Sequence, residues 1–354
     1  MEGRGTASVV RVLLVDDSPL VRRILRRVLV RDPGIEVIGE AGDPYEARDR
    51  IVALRPDVVT LDLEMPRMNG LTFLHHLMRH RPTPVVVVSS VTEEGAPLAL
   101  DALEAGAVEV LGKPQSGAAG LRDFGERLRL AVRAASQAVL GSPGMLAVSG
   151  PRPTSAGPGA SRRHVIAIGA STGGTRAIQT VLASAPGDWP GVLIAQHMPA
   201  AFTRSFAERL DACSGLRVEE ARDGQPLVPG LALVAPGDRH LTLAGEPGQY
   251  RVRVEKRARV NFHRPSVDVT FESVAQVAGG DALGALLTGM GRDGARGLLA
   301  MRRAGAATVA QDEKTSTVYG MPRAAAEVGA AERVVPLGSL AGVIDAWVAR
   351  SART

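Results

Sequence analysis

Cysteine is nearly missing from this chain: Cys213 stands alone among 354 residues. A single thiol excludes an internal disulfide and any cysteine-based metal cluster, and it suits a reducing cytoplasm. The plainest reading of Cys213 is a packed filler. Aromatic residues make up only 3 per cent, so the cores must be aliphatic, built from Val, Leu, Ile and Ala. No apolar run approaches the ~18 residues of a membrane span. The early stretch "SVVRVLLVDD" carries an arginine and ends on two aspartates, so no secretory leader is expected there. Charge is not concentrated either. The formal net charge is +5, but residues 1–135 hold 18 Lys/Arg against 19 Asp/Glu, and residues 164–354 hold 21 against 18. The densest basic cluster, "RVRVEKRARV" at 251–260, alternates Arg with Val and predicts a strand with one solvated face. Charge and aromatic content together speak against nucleic-acid binding.

What is present is a pair of similar halves. Between Ser136 and Arg163, "SQAVLGSPGMLAVSGPRPTSAGPGASRR" is dominated by Gly, Pro, Ser and Ala without an apolar period, and predicts a linker. The expected division is 1–135, a 136–163 linker, and 164–354. In the first half, "VRVLLVDD", "IEVIGEAG", "DVVTLDLEMP", "PVVVVSS" and "VEVLGKP" alternate with amphipathic stretches such as 19–31. Five strands alternating with helices imply a mainly parallel sheet covered on both faces. Working residues in such sheets gather beyond the carboxyl ends of the strands. There stand Asp16, Asp17, Asp62, Ser89 and Lys113. Three converging carboxylates call for a cation, and an all-oxygen donor set suits Mg2+. A hydroxyl and an ammonium beside them suit a phosphoryl group, with one carboxylate as a possible acceptor.

The quoted motifs "LLVDDSPLVRRIL", "DVVTLDLEMPRMNGL", "VVSS" and "EVLGKP" closely resemble those of response-regulator receiver domains over residues 10–135. That resemblance implies a flavodoxin-like fold in which Asp62 takes phosphate from a histidine kinase. Asp16 and Asp17 would help bind Mg2+, and Ser89 and Lys113 would contact the phosphoryl group. Val110 departs from the family pattern, which usually has an aromatic three residues before the lysine. An aromatic rotamer switch is therefore not expected.

After the linker, "HVIAIG", "GVLIAQ", "LALVAPG", "ALGALLTG" and "ATVAQD" predict five more strands, with helical stretches such as 200–211 and 296–304 among them. A second parallel α/β domain follows. "GASTG" at 169–173 fits G-x-S-x-G, a strand-to-helix turn that projects a serine oxygen. It does not fit G-x-G-x-x-G, because Ser171 stands where a pyrophosphate needs bare backbone, and no lysine follows to make a P-loop. A serine nucleophile needs a base and an orienting carboxylate. Spacing leaves His197, His240, His263 and the less well placed His164 as bases, and Asp293, Asp238 and Asp312 as acids. The order Ser–His–Asp differs from that of α/β-hydrolases.

Six ordered motifs, "IGASTGGTRAI", "AQHMPAAFTRSFAERL", "APGDRHL", "HRPSVDVTF", "LTGMGRDGARGL" and "QDEKTSTVYGMPRAA", resemble the catalytic domain of chemotaxis protein-glutamate methylesterases over 164–347. The resemblance implies two doubly wound, mainly parallel α/β domains, with Ser171 as nucleophile, His197 as base and Asp293 as orienting acid. It also implies methylated chemoreceptors as substrates, glutamine deamidation as a second activity, and a receiver that blocks the active site until phosphorylated. Ester hydrolysis itself would need no cofactor. The backbone N–H groups of Thr172 and Met290 are candidate oxyanion donors. Arg292 stands where the family often has an acid. The competing expectations are a receiver-coupled binding module with an idle serine, or an esterase acting on a non-chemotactic receptor.

Overall fold

The computed structural model describes residues 9–90, 95–113, 118–140 and 162–351. Most of the expected linker lies outside them. The chain divides into two compact units, Met1–Pro143 and Gly144–Thr354. Among the described residues, no helix is long and apolar enough to cross a membrane.

The first unit alternates β1 (Val10–Val15), α1 (Pro19–Leu29), β2 (Ile35–Ala41), α2 (Pro44–Leu54), β3 (Val58–Leu61), α3 (Gly70–His80), β4 (Val85–Ser89), α4 (Ala96–Glu104), β5 (Glu109–Gly112) and α5 (Ala118–Ser136). All its strand pairs are parallel, in the order β2-β1-β3-β4-β5. The central strands bury Val and Leu on both faces, as a sheet covered on both sides requires. Helix starts follow local chemistry. Ser18 and Asp43 cap α1 and α2 through their side-chain oxygens, each just ahead of a proline in the first turn.

In the second unit come β6 (Val165–Ala170), α6 (Gly174–Ala183), β7 (Gly191–Gln196), α7 (Ala200–Cys213), β8 (Arg217–Glu220), β9 (Leu231–Val234), β10 (His240–Ala244), β11 (Arg251–Glu255), α8 (Val267–Val277), β12 (Ala282–Leu286), α9 (Ala295–Arg303), β13 (Ala307–Gln311), α10 (Met321–Glu327), β14 (Arg333–Val335) and α11 (Leu340–Ser351). Seven strands form a parallel sheet in the order β14-β13-β12-β6-β7-β9-β8. The five expected strands are all in it, and the short, charge-bearing β8 and β14 extend its edges. Strands β10 and β11 pair antiparallel in a separate hairpin. The basic strand is shorter than expected. It stops at Glu255, with Arg251 and Arg253 exposed and Val252 buried, and residues 256–260 run on as an irregular loop.

Each sheet reverses its winding direction once, between β1 and β3 in the first unit and between β6 and β12 in the second. The crevice beyond the carboxyl ends of the strands at such a point is where open α/β sheets hold ligands. Asp16 and Asp62 follow β1 and β3, and Ser171 and Asp293 follow β6 and β12.

Candidate active site

Ser171 follows the last residue of β6, and His197 the last residue of β7, its neighbour in the sheet. Asp293 closes the loop after β12, the neighbour on the other side. Parallel strands lie about 4.8 Å apart, so three adjacent strand ends deliver three side chains to one spot. His197 Nδ1 lies 3.0 Å from Ser171 Oγ, and His197 Nε2 lies 2.8 Å from Asp293 Oδ2. A carboxylate only accepts, so the proton belongs on Nε2 and the Nδ1 lone pair faces the serine hydroxyl. All three side chains are nearly or fully buried.

The turn under Ser171 is built from small residues for steric reasons. Gly173 has φ +77, which a side chain tolerates poorly, and it leads into α6. Gly289, in the loop after β12, passes so close that a Cβ there would stand 2.7 Å from the Cβ of Ser171 and also strike Met321 Sδ. The two loops are tied by Ser171 N–H donating to Thr288 O at 3.0 Å. Thr288 Oγ1 donates to Thr172 O at 2.9 Å. Gln196, buried at the end of β7, donates Nε2–H to Ser171 O at 2.9 Å and to His197 O at 3.1 Å. Thr172 is buried beside Ser171, and Met290 is half-buried in the Gly289–Gly291 turn.

Asp293 is held by an unusual number of donors. Its Oδ1 accepts from Asn261 Nδ2 at 2.7 Å, Ser266 Oγ at 2.8 Å and Asp268 N–H at 3.3 Å. Its Oδ2 accepts from Val267 N–H at 2.7 Å in addition to His197. Val267 and Asp268 open α8, so the carboxylate occupies that helix's N-terminus, where unpaired N–H groups and the helix dipole favour an anion. Burial alone would push the Asp293 carboxyl up. The hydrogen bonds and charge of His197, with Asn261 and Ser266, outweigh it and hold the carboxyl well below the usual aspartate range. Asp268, bridged to Asp293 through the same Asn261 amide at 2.9 Å, is pushed up by burial.

The competing candidates have other work. His240 Nδ1 accepts from Ser266 N–H at 3.2 Å and its Nε2 donates to Ala258 O at 2.9 Å, which makes it a structural histidine. His263 lies flat on His197, with ring centroids 3.6 Å apart and planes 7° apart, against a face rather than a proton-bearing edge. His164 packs edge-on against Trp347. Asp238 pairs with Arg264 and with Lys256 at 3.2 Å, and Asp312 accepts from Thr315 N–H at 3.1 Å. Nothing in the sequence pattern singles out Asn261 or Gln196. Asn261 sits with Phe262 in a two-residue turn closed by Val260 N–H to His263 O at 3.1 Å and His263 N–H to Val260 O at 2.9 Å. Their φ values, +51 and +67, mark a type I′ turn. Asn tolerates that conformation, whereas for a residue such as Phe the left-handed region costs about 1–2 kcal/mol.

The first unit presents a second cluster. Asp16, Asp17 and Asp62 each place a carboxylate oxygen within 4.8 Å of the others. Lys113 Nζ lies 2.7 Å from Asp62 Oδ2 and 3.0 Å from Asp16 Oδ2, and this ion pair is the contact that the buried Asp16 Oδ2 makes among the described residues. A buried, incompletely paired oxygen among three carboxylates fits a hard divalent cation such as Mg2+. Burial pushes the Asp62 carboxyl up against the opposing pull of Lys113, while its two carboxylates, against burial, hold Lys113 above the usual lysine range. Ser89 is buried at the end of β4, and its C=O accepts from Lys113 N–H at 2.8 Å. Val110 is buried in β5.

Comparison with known proteins identifies both units. Residues 166–344 match the family described as CheB methylesterase, and residues 12–122 match the response regulator receiver domain. The chain belongs to the CheB methylesterase family. A protein-glutamate methylesterase/protein-glutamine glutaminase of Pseudomonas aeruginosa is 51% identical over 343 residues, covering 96% of this chain and 97% of the relative. One from Anaeromyxobacter dehalogenans is 53% identical over 335 residues, covering 94% and 93%. The crystal structure of the Thermotoga maritima CheB methylesterase catalytic domain is 36% identical with a TM-score of 0.50, covering 51% of this chain and 96% of that one.

Proposed function

We propose the route by which this chain, a protein-glutamate methylesterase and protein-glutamine glutaminase under receiver control, opens its substrate. Ser171 Oγ attacks the carbonyl carbon of a receptor glutamate methyl ester while its proton passes to His197 Nδ1. Asp293 steadies the resulting imidazolium at Nε2. The N–H groups of Thr172, next to Ser171 in the chain, and of Met290, in the loop after β12, would meet the oxyanion, where one donor contributes about 2.7–4 kcal/mol of barrier lowering. His197 returns the proton to the leaving oxygen, methanol departs, and water activated by the same Nδ1 hydrolyses the acyl-enzyme. With a glutamine side chain the identical sequence expels ammonia.

The single observation that carries this reading is the His197 Nδ1 to Ser171 Oγ contact of 3.0 Å, backed by the 2.8 Å contact to Asp293. Replacing Ser171 by Ala should lower methanol release from methylated receptor fragments by at least about 10³-fold while leaving phosphate incorporation at the receiver intact. Methanol released by that variant at the wild-type rate would end the assignment, and no release from the wild type on any methylated receptor would end the substrate reading.

On the receiver, Asp62 is the proposed acceptor of phosphate from a histidine kinase. Asp16, Asp17 and Asp62 would hold Mg2+, which when bound offsets charge between the carboxylates and the incoming phosphoryl oxygens. Ser89 and Lys113 would contact the phosphoryl group. Helix α5 ends at Ser136 and β6 begins at Val165, which supports boundaries at 1–135, 136–163 and 164–354.

A further inference from the structure

Phe262 occupies the second central position of the type I′ turn, which glycine fills most readily. The residue is 71% exposed, more than any other large hydrophobic residue among the described residues, whereas the other five phenylalanines are all buried. The fold therefore bears a strained aromatic whose ring gains little packing within the chain. Strain that the native structure does not repay points to function. The neighbours of Phe262 say where that function lies. On one side Asn261 holds Asp293, and on the other His263 is stacked on His197.

We propose that Phe262 is a substrate-recognition residue. Its phenyl, at the border of the triad, packs against an apolar side chain of the receptor protein next to the methylated glutamate. The turn's two cross hydrogen bonds and its restricted φ fix the backbone from which the ring projects, so only its two side-chain torsions remain to be ordered on binding. An aromatic with two side-chain torsions is well suited to such an anchor. This inference rests on the methylesterase reading and adds which residue selects a protein substrate over a bare ester.

The test compares two substrates, a methylated receptor fragment and a blocked single-residue glutamate γ-methyl ester, on full-length enzyme. Phe262→Gly suits the backbone conformation, so its melting temperature should be no lower than that of the wild type. Its kcat/KM on the small ester should stay within about twofold, while that on the receptor fragment should fall about tenfold, mostly through KM. Phe262→Leu should lie between the two. Unchanged efficiency of Phe262→Gly on the receptor fragment would overturn the inference, as would an equal loss on both substrates or a lower melting temperature. A rise in the resting rate with no change in receptor KM would also overturn it, because the ring would then serve the receiver. Absence of methanol from the wild type with the receptor fragment would overturn the methylesterase reading itself.

Discussion

Asn261 joins two buried carboxylates with one amide, donating to Asp293 at 2.7 Å and to Asp268 at 2.9 Å. With its amide engaged by both carboxylates, it is expected to act by positioning Asp293 and hence His197. A hydrogen bond to a charged group contributes about 1.5–3 kcal/mol. Asn261→Ala should therefore lower kcat about tenfold to a hundredfold with little change in KM, measured by methanol release. Unchanged kcat would refute the role. The acid stability of the enzyme should shift too. Because the folded pKa of Asp293 is depressed, its contribution is present above the unfolded value, near 3.8, and is lost as pH falls through the folded one. Removing a donor raises the folded value, so acid unfolding should begin at a higher pH. The triad was legible in the sequence as a set of candidates, because each member follows a strand and strand ends carry chemistry in parallel sheets. Choosing among them was not legible from spacing. His240 and His197 both sit at apolar strands, and only the backbone partners of His240 show that its nitrogens are already engaged. Asn261 gave no signal, since its partner stands 32 positions away in the chain.

The loops after β6 and β12 work as one element. Ser171 N–H and Thr288 bind them together, and Gly289 lets them touch. A methyl group at Gly289 has nowhere to go, and overpacking of this kind costs about 1–3 kcal/mol. Gly289→Ala should lower the melting temperature and, by displacing Ser171 or Met290, reduce kcat on the small ester as well as on the receptor. Full activity together with wild-type stability would show that the loops can part without consequence. Gly173 is readable as part of the small-residue turn under Ser171, but the contact of Gly289 with Ser171 in particular is not, because it depends on sheet order. The same limit explains the edge strands. Segments "RVEE" and "RVV" are too short and polar to stand out as apolar runs, and they become strands only by adding to an existing edge. The basic stretch reads longer in sequence than it pairs in the fold, for the converse reason. Its Arg–Val alternation continues in sequence past Glu255, but pairing with β10 ends there.

Over the whole chain, the same rule places chemistry twice: an open parallel sheet, a reversal in winding, and polar side chains at the two strand ends beside it. The two sites differ in their capacity for a cation. In the receiver, three carboxylates crowd together with the single ammonium of Lys113 between two of them. At the triad, by contrast, Asp293 Oδ1 already accepts from Asn261, Ser266 and Asp268, and Oδ2 from Val267 and His197, so the carboxylate has no lone pair to spare for a metal. Chelation should therefore separate the two functions. A small phosphodonor supplied with Mg2+ should raise methanol release by the wild-type enzyme, and a chelator should abolish that rise while leaving the resting rate in place. Asp62→Asn should show the same resting rate with or without phosphodonor, because an amide cannot take the phosphoryl group in place of the proposed acceptor carboxylate, while Lys113 keeps Asp16 as a partner. Stimulation that persists in Asp62→Asn would move the phosphorylation site elsewhere. A resting rate that falls on chelation would mean that ester hydrolysis itself draws on a metal, which the fully engaged Asp293 carboxylate argues against.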